Sequence, residues 1–493
     1  MTTLEANEPT AGDIVGAVKA ATATANQRIK SSGFSLTRAG TGEFVMAALF
    51  GLYLGFAVVR LPEVFQPLAV PRLPLVLMML FLSSLLFLVP SQAWSLIWGQ
   101  SRALRLCAFL LGVAIATAPI GIWPSESFQF LKDRYSVAIA VFLCSLIFLR
   151  DRRTLRVAVA VYVLCVGAVS FDVIHTYDPN APVFNEDGDL VSPEVLAARP
   201  ELRRLKVVGI GLDPNDFGAI LATTFPLALW LSVGNFRRRV FWTAVAGLYI
   251  AALVPTQSRG SMLGLLAAAT VLIGAGARGW RRWLTIFLVI GGVGIFVLMA
   301  SGIGGGDRFG DFSGDDYNIS GNEGRWYFWR QGFVWMIKRP WGYGIDNYPT
   351  YFGELNGPER AAHSTWVQYG MELGLAGIAL FVLLCRQVVG GLRRLRKAAV
   401  LQRDSHPAAR DEEILSGHML AMMAGLLVTG TFLSNAYYAL TYMALGIGAA
   451  VLLGTPLEVT APPPKTKPAP PPGRGVLPRR KLRAFQATPP SDR

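Results

Sequence analysis

Apolar runs of bilayer length recur along the chain, and little other than a helical membrane protein accommodates them. About twelve such runs occur, near 44–59, 73–89, 103–123, 135–149, 155–173, 213–233, 240–256, 260–277, 283–300, 365–385, 415–433 and 436–454. Most approach the roughly 17–25 residues that a helix needs to cross the hydrocarbon core; 135–149 is among the shortest. A helix satisfies all its own backbone hydrogen bonds, which lipid demands. The expected fold is therefore all-α and polytopic. Composition agrees: 52% of residues are hydrophobic and 16% are charged, against roughly 25% charged in soluble domains.

Arginine clusters set the expected orientation. Arg102/Arg105, Arg150/Arg152/Arg153/Arg156, Arg237–Arg239, Arg278/Arg281/Arg282 and Arg393/Arg394/Arg396/Lys397 fall in every second loop. Those loops are expected in the cytoplasm. An even number of spans puts both termini there as well. The acidic loop 174–207, the turn Thr256–Arg259 and the long loop 301–364 then lie on the trans side. The chain divides into a polar stretch 1–43, spans 1–9 over 44–300, a large loop 301–364, spans 10–12 over 365–455, and a tail 456–493.

The formal charge of +14 does not imply a nucleic-acid partner, because the cations flank apolar segments where orientation bias places them. Membrane lipids are the expected surroundings. The four cysteines (Cys107, Cys144, Cys165, Cys385) lie inside apolar runs without metal-ligand spacing, which argues against zinc and a disulfide framework. The first apolar run starts only near Phe44, too late for the usual signal-peptide layout. The Pro- and Lys/Arg-rich tail is expected to be a disordered cytosolic extension that touches anionic lipid. No internal repeat is evident.

In lipid-embedded helix the polar exceptions carry the information. Arg259, in VPTQSRGSMLG, puts a positive charge on the trans side, against the orientation bias. It either snorkels to headgroups or serves a site. Arg325 opens a segment in which Trp326, Trp329, Phe333 and Met336/Ile337 share a helical face, suited to the membrane interface. The cations Arg325, Arg330, Lys338 and Arg339 either flank that stripe or grip phosphate through paired hydrogen bonds. Thr365 and Gln368 make a T-x-x-Q capping box that would start the next span, with His363 just before it. His363 is either an exposed loop histidine or a general base, for which its ordinary pKa near 6.5 suits. Glu372, about two turns into that span, needs a partner; a structural ion pair with Arg259 or a loop cation is expected. Asp213-Pro214-Asn215-Asp216 reads as a capped helix start, with Asp216 available to a polar cavity. No dinucleotide fingerprint, phosphate-binding loop or calcium loop occurs, so no cofactor and no metal are expected.

With these residues in place, the chain resembles the bacterial O-antigen ligase and polymerase superfamily. Three features carry the resemblance: Ser258-Arg259-Gly260 at a trans-side turn; Gly324-Arg325-Trp326 leading through Lys338-Arg339-Pro340 to Gly342-Tyr343-Gly344; and Ala362-His363-Ser364 leading to Glu372-Leu373-Gly374. It is strongest over 205–385. Ser364 stands where many members have Asn.

The resemblance implies a glycosyltransferase of the bacterial inner membrane, with about twelve helices and a large periplasmic loop between the ninth and tenth. It implies an undecaprenyl diphosphate-linked glycan donor and a lipid-linked or polysaccharide acceptor, joined without metal or nucleotide. His363 would be the catalytic base, and Arg259 and Arg325 would bind diphosphate, with Glu372, Asp216 and Arg339 in support. The leading expectation is ligation to lipid A–core oligosaccharide. Exopolysaccharide or O-antigen polymerisation and protein O-glycosylation use the same chemistry. A solute transporter is the reading from another class; it predicts interrupted helices in related halves and charges near the midplane. Here no related halves are evident and the polar candidates gather at one face.

Overall fold

The computed structural model describes residues 41–65, 68, 73–89, 91–178, 213–275, 283, 286, 325–357 and 359–457. Helices are the regular structure among the described residues, and no strand occurs there. The expected span 283–300, apart from residues 283 and 286, lies outside them. So do the polar N-terminus to residue 40, the loop 179–212, the first part of the large loop to residue 324, and the tail from 458.

Every other expected segment holds a helix: α1 (Thr41–Val59), α2 (Leu73–Leu88), α3 (Ser91–Gln100) running into α4 (Arg102–Thr117), α5 (Ser136–Phe148), α6 (Arg152–Thr176), α7 (Pro214–Leu231), α8 (Phe236–Leu253) and α9 (Arg259–Gly274). The large loop contributes α10 (Arg325–Lys338) and α11 (Tyr348–Asn356). The expected tenth span is broken into α12 (Thr365–Glu372) and α13 (Gly374–Leu401); α14 (Ala409–Thr431) and α15 (Ala439–Leu453) follow. Four stretches are long and apolar enough to cross a membrane, Arg152–Thr176, Phe236–Thr256, Gly374–Leu401 and Ala409–Thr431, and α3 with α4, bent by 90°, makes a fifth. The helices α1, α2, α9 and α15 are apolar but shorter. Sixteen residues, as in α9, reach about 24 Å, less than the ~30 Å hydrocarbon core.

The centre of the bundle is α7, α9 and α14, packed on one another. Small residues bring their backbones close, as membrane helices require when no water drives them together. Gly260 and Gly264, one turn apart on α9, lie against Phe432 and Thr429, and Gly425 faces the carbonyl of Ala222. That crossing places the start of α9, and with it Arg259, beside the end of α14. At another end of the bundle, Arg152 forks onto Glu412 through two bonds of 2.6 and 2.9 Å and also donates to the Val451 carbonyl at 2.9 Å. This pins α6, α14 and α15 together. Buried tyrosine hydroxyls tie the segment before α15 to α12: Tyr369 donates to the Ala436 carbonyl at 2.5 Å and meets Tyr442 at 3.0 Å.

Candidate active site

The P-x-G-x-G and E-x-G motifs form one clasp. After α10 the chain turns through Pro340-Trp341-Gly342-Tyr343-Gly344, where Gly342 and Gly344 have φ of +97° and +99°, open to glycine at little cost. Tyr343 N–H donates to the Met371 carbonyl and Gly344 N–H to that of Glu372, each at 3.0 Å, and Leu375 N–H returns to the Pro340 carbonyl at 2.9 Å. A Cβ on Gly342 would overlap the Glu372 carbonyl, and one on Gly374 (φ +68°) that of Pro340. Gly374 therefore breaks the helix at this point, and the single expected span 365–385 becomes α12 and α13.

Glu372 does not form the expected ion pair. Its fully buried carboxylate accepts the backbone N–H groups of Asp346 at 3.0 Å and Tyr348 at 3.3 Å. It caps the loop into α11 and holds Asp346 at φ +62°. From the other side, Ile122 N–H donates to the Tyr343 carbonyl and Ser127 Oγ to that of Ile345, both at 2.9 Å. Arg339 belongs to this scaffold: it donates to the Ile120 carbonyl and lies 5.4 Å from the Tyr343 ring.

The clasp fixes α10 against α12, where Gly332 lets Val367 approach. Phe328, Gly332 and Trp335 are buried, whereas Trp326, Phe333 and Ile337 are exposed. Trp329 and Met336, expected on the exposed stripe, turn inward by comparison: Trp329 Nε1 donates to the His363 carbonyl at 3.3 Å, and its ring lies 6.2 Å from that of Phe432. Arg325, one turn earlier, places its guanidinium 5.9 Å from the same Phe432 ring. Gly260, the neighbour of Arg259, abuts Phe432 from α9. Phe432 is thus the hub on which the two arginine motifs meet.

His363 has φ +48° and is partly buried, with its imidazole 5.7 Å from the Phe328 ring. Burial, and next the positive field of Arg325, lower its pKa from 6.5 to about 4; Asp213 opposes the shift and Arg360 adds to it. The imidazole is therefore neutral at pH 7 and able to take a proton. The expected capping box does not form. Ser364 is the N-cap and makes no side-chain cap bond, while Thr365 Oγ1 donates instead to the Leu433 carbonyl at 2.9 Å. Thr365 also accepts Asn435 N–H at 3.1 Å, which ties the histidine turn to the segment before α15.

Asp213 caps α7 as expected, accepting Asn215 N–H at 2.6 Å with Pro214 at the first helical position. Ser261 Oγ donates to the Asn215 carbonyl at 3.2 Å, joining this helix start to the serine-arginine turn. In the sequence Asp213 reads as a cap alone, whereas in the fold its charge also acts on His363. Asp216, one turn on, lines a cavity with Arg60 and Arg134. Two further arginines went unnoticed, Arg60 after α1 and Arg134 before α5. Arg60 has the signal that singles out Arg259, a cation at the end of a span that the arginine clusters lead one to expect on the trans side. Among the described residues, no three His, Cys, Asp or Glu side chains gather to hold a metal ion.

A helical membrane protein with histidine and arginine converging at the ends of its helices is the class that fold and site define. Residues 244–382, from within α8 to within α13, match the family model described as O-antigen ligase, which supports the likeness to the O-antigen ligase superfamily. The matched stretch contains Arg259, Arg325, His363 and Glu372. No curated protein matches the chain significantly. The family is one of glycan ligases and polymerases that use lipid-linked and polysaccharide substrates.

Proposed function

We propose that the chain transfers a glycan from undecaprenyl diphosphate to an acceptor hydroxyl of lipid A–core oligosaccharide, on the periplasmic face of the inner membrane. The acceptor oxygen attacks the anomeric carbon as the bond from that carbon to the diphosphate oxygen breaks. His363 takes the hydroxyl proton, and undecaprenyl diphosphate leaves with the bonding electron pair. Attack opposite the leaving group inverts the anomeric centre. Arg259 and Arg325 hold the diphosphate and offset the charge that grows on it. Fixed guanidinium groups do this without reorganising as the bond breaks.

The observation that carries this reading is the placement of His363 in the field of Arg325, on a backbone bonded to the arginine helix through Trp329. In the free protein burial, and next Arg325, keep the imidazole a weak base. A diphosphate beside Arg325 cancels that field and raises the basicity of His363 once donor is bound. Proton abstraction is thereby coupled to the presence of the leaving group.

The test is glycan transfer per unit of inserted protein. His363→Gln keeps hydrogen bonding but cannot accept the proton in the same way, and His363→Ala removes both. Each is expected to insert normally and to lose on the order of 10²–10⁴ in rate, the usual share of general base catalysis. Near-wild-type turnover in His363→Gln would remove the base from the mechanism.

A further inference from the structure

One turn along α7 from Asp213, Asp216 faces a cavity of about 170 Å³ that neither Arg259 nor Arg325 lines. Its polar wall is made by Arg60, Asp133, Arg134, Asp216, Asn435 and Tyr438. Two local irregularities build that wall. Arg60 ends α1 in the left-handed region (φ +53°), a conformation that costs a residue with a Cβ and persists at ligand sites more than elsewhere. Asp133 and Arg134 lie in a π turn, Leu131–Tyr135, another feature concentrated at functional sites. Phe130 and Ile220 form an apolar wall.

The chemistry of the lining discriminates between ligands. Two arginines offer only donors, two aspartates offer only acceptors, and Asn435 offers both. The carboxyl groups offset part of the arginine charge, so a phosphate gains less here than between two arginines alone. A polyol with alternating donor and acceptor hydroxyls uses every group, and the ring of Phe130 suits the C–H face of a sugar. The position points the same way. Asp213, whose charge acts on His363, is one turn from Asp216. Asn435 is bonded to Thr365, two residues from His363.

We infer that this cavity seats a sugar ring of the acceptor, with Asp216 accepting hydroxyl protons and Arg60 and Arg134 donating. This rests on the glycan-transfer reading: the diphosphate side of His363 takes the donor, and the cavity holds the ring whose hydroxyl is delivered to the base. Arg60, Arg134 and Asp216 are then specificity-determining residues.

Ligand-observed saturation-transfer NMR on the full-length protein in nanodiscs tests it. The probes are the methyl glycosides of glucose, galactose, mannose, rhamnose and N-acetylglucosamine, with inorganic diphosphate as the anionic comparator. At least one glycoside is expected to bind the wild type. Asp216→Asn, Arg134→Gln and the cavity-filling Ala57→Phe are each expected to weaken it at least tenfold, while His363→Ala retains it. Ala57→Phe changes no polar group, so it serves where a charge variant does not fold. Failure of every glycoside to bind, or equal binding in the folded cavity variants, overturns the inference. Loss of diphosphate binding in those variants with glycoside binding intact also overturns it, by making the cavity an anion site. Full transfer activity in His363→Gln instead sinks the catalytic reading and leaves the binding result standing, so the two fail separately.

Discussion

The indole N–H of Trp329 donates to the main-chain carbonyl of His363 across 3.3 Å, and through that bond the arginine helix sets the backbone of the histidine. His363 needs such a support because its φ of +48° is unfavourable for a side chain with a Cβ. Trp329→Phe keeps the aromatic packing on Phe432 and removes only the donor. A net hydrogen bond contributes about 1 kcal/mol, or roughly fivefold in rate. We expect kcat to fall by about that factor with donor KM unchanged. A rise in donor KM at constant kcat would place Trp329 in donor binding instead.

The pH profile follows from the position of His363. Its pKa in the free protein is lowered to about 4 by burial and Arg325, and kcat/KM reports the free enzyme. The acid limb of kcat/KM is expected near pH 4. Bound diphosphate offsets Arg325, so the acid limb of kcat is expected at higher pH. Coincident limbs would separate Arg325 from the diphosphate. Stability has its own sign: the folded protein binds fewer protons at His363 than the unfolded chain, so this contribution is complete above pH 6.5 and is lost as pH falls toward 4.

Lysine at either arginine preserves the charge and discards the planar fork. Arg259→Lys and Arg325→Lys are expected to insert at wild-type levels and to lose at least tenfold in transfer. Glu372→Gln is expected to behave in the opposite way. It turns an amide N–H₂ toward backbone donors that the carboxylate accepts, leaving a buried donor unsatisfied at a cost of about 1–3 kcal/mol. Thermal unfolding in detergent should show the loss, with turnover of the surviving folded protein near wild type. Lysine variants with full transfer activity would remove the diphosphate clamp.

Topology can be tested with introduced cysteines, because the four native ones are buried. Ser313→Cys is expected to react with an impermeant thiol reagent in cells whose outer membrane has been permeabilised, and Ser405→Cys to stay protected. The reverse pattern would invert the orientation and move the proposed chemistry to the cytoplasm.

The helices were legible in the sequence because lipid allows few alternatives for an apolar run. The break between α12 and α13 was not, since Gly374 sits in apolar surroundings and its constraint comes from the Pro340 carbonyl over thirty residues earlier. Arg325 and His363 stand out in the sequence by chemistry and motif, whereas what surrounds them depends on distance in space. A buried carboxylate needs a partner, and for Glu372 the sequence points to a cation. Its actual partners are backbone N–H groups, which every residue but proline has and which leave no mark in a sequence. Thr365 and Gln368 have the spacing of a capping box, but the Leu433 carbonyl takes the Thr365 hydroxyl. The pattern was local and the winner was tertiary.

The clasp between Pro340–Gly344 and Glu372–Leu375 also sets how this loop can be exchanged. Its five hydrogen bonds run backbone to backbone or backbone to carboxylate, so side chains elsewhere in the loop are free to vary without loosening it. A chimaera built to borrow another relative's glycan preference would have to keep both halves of the clasp from one parent, with crossover points before Arg325 and after Leu375. A junction placed between the two halves would splice mismatched backbones at a place where a single added methyl group has no room.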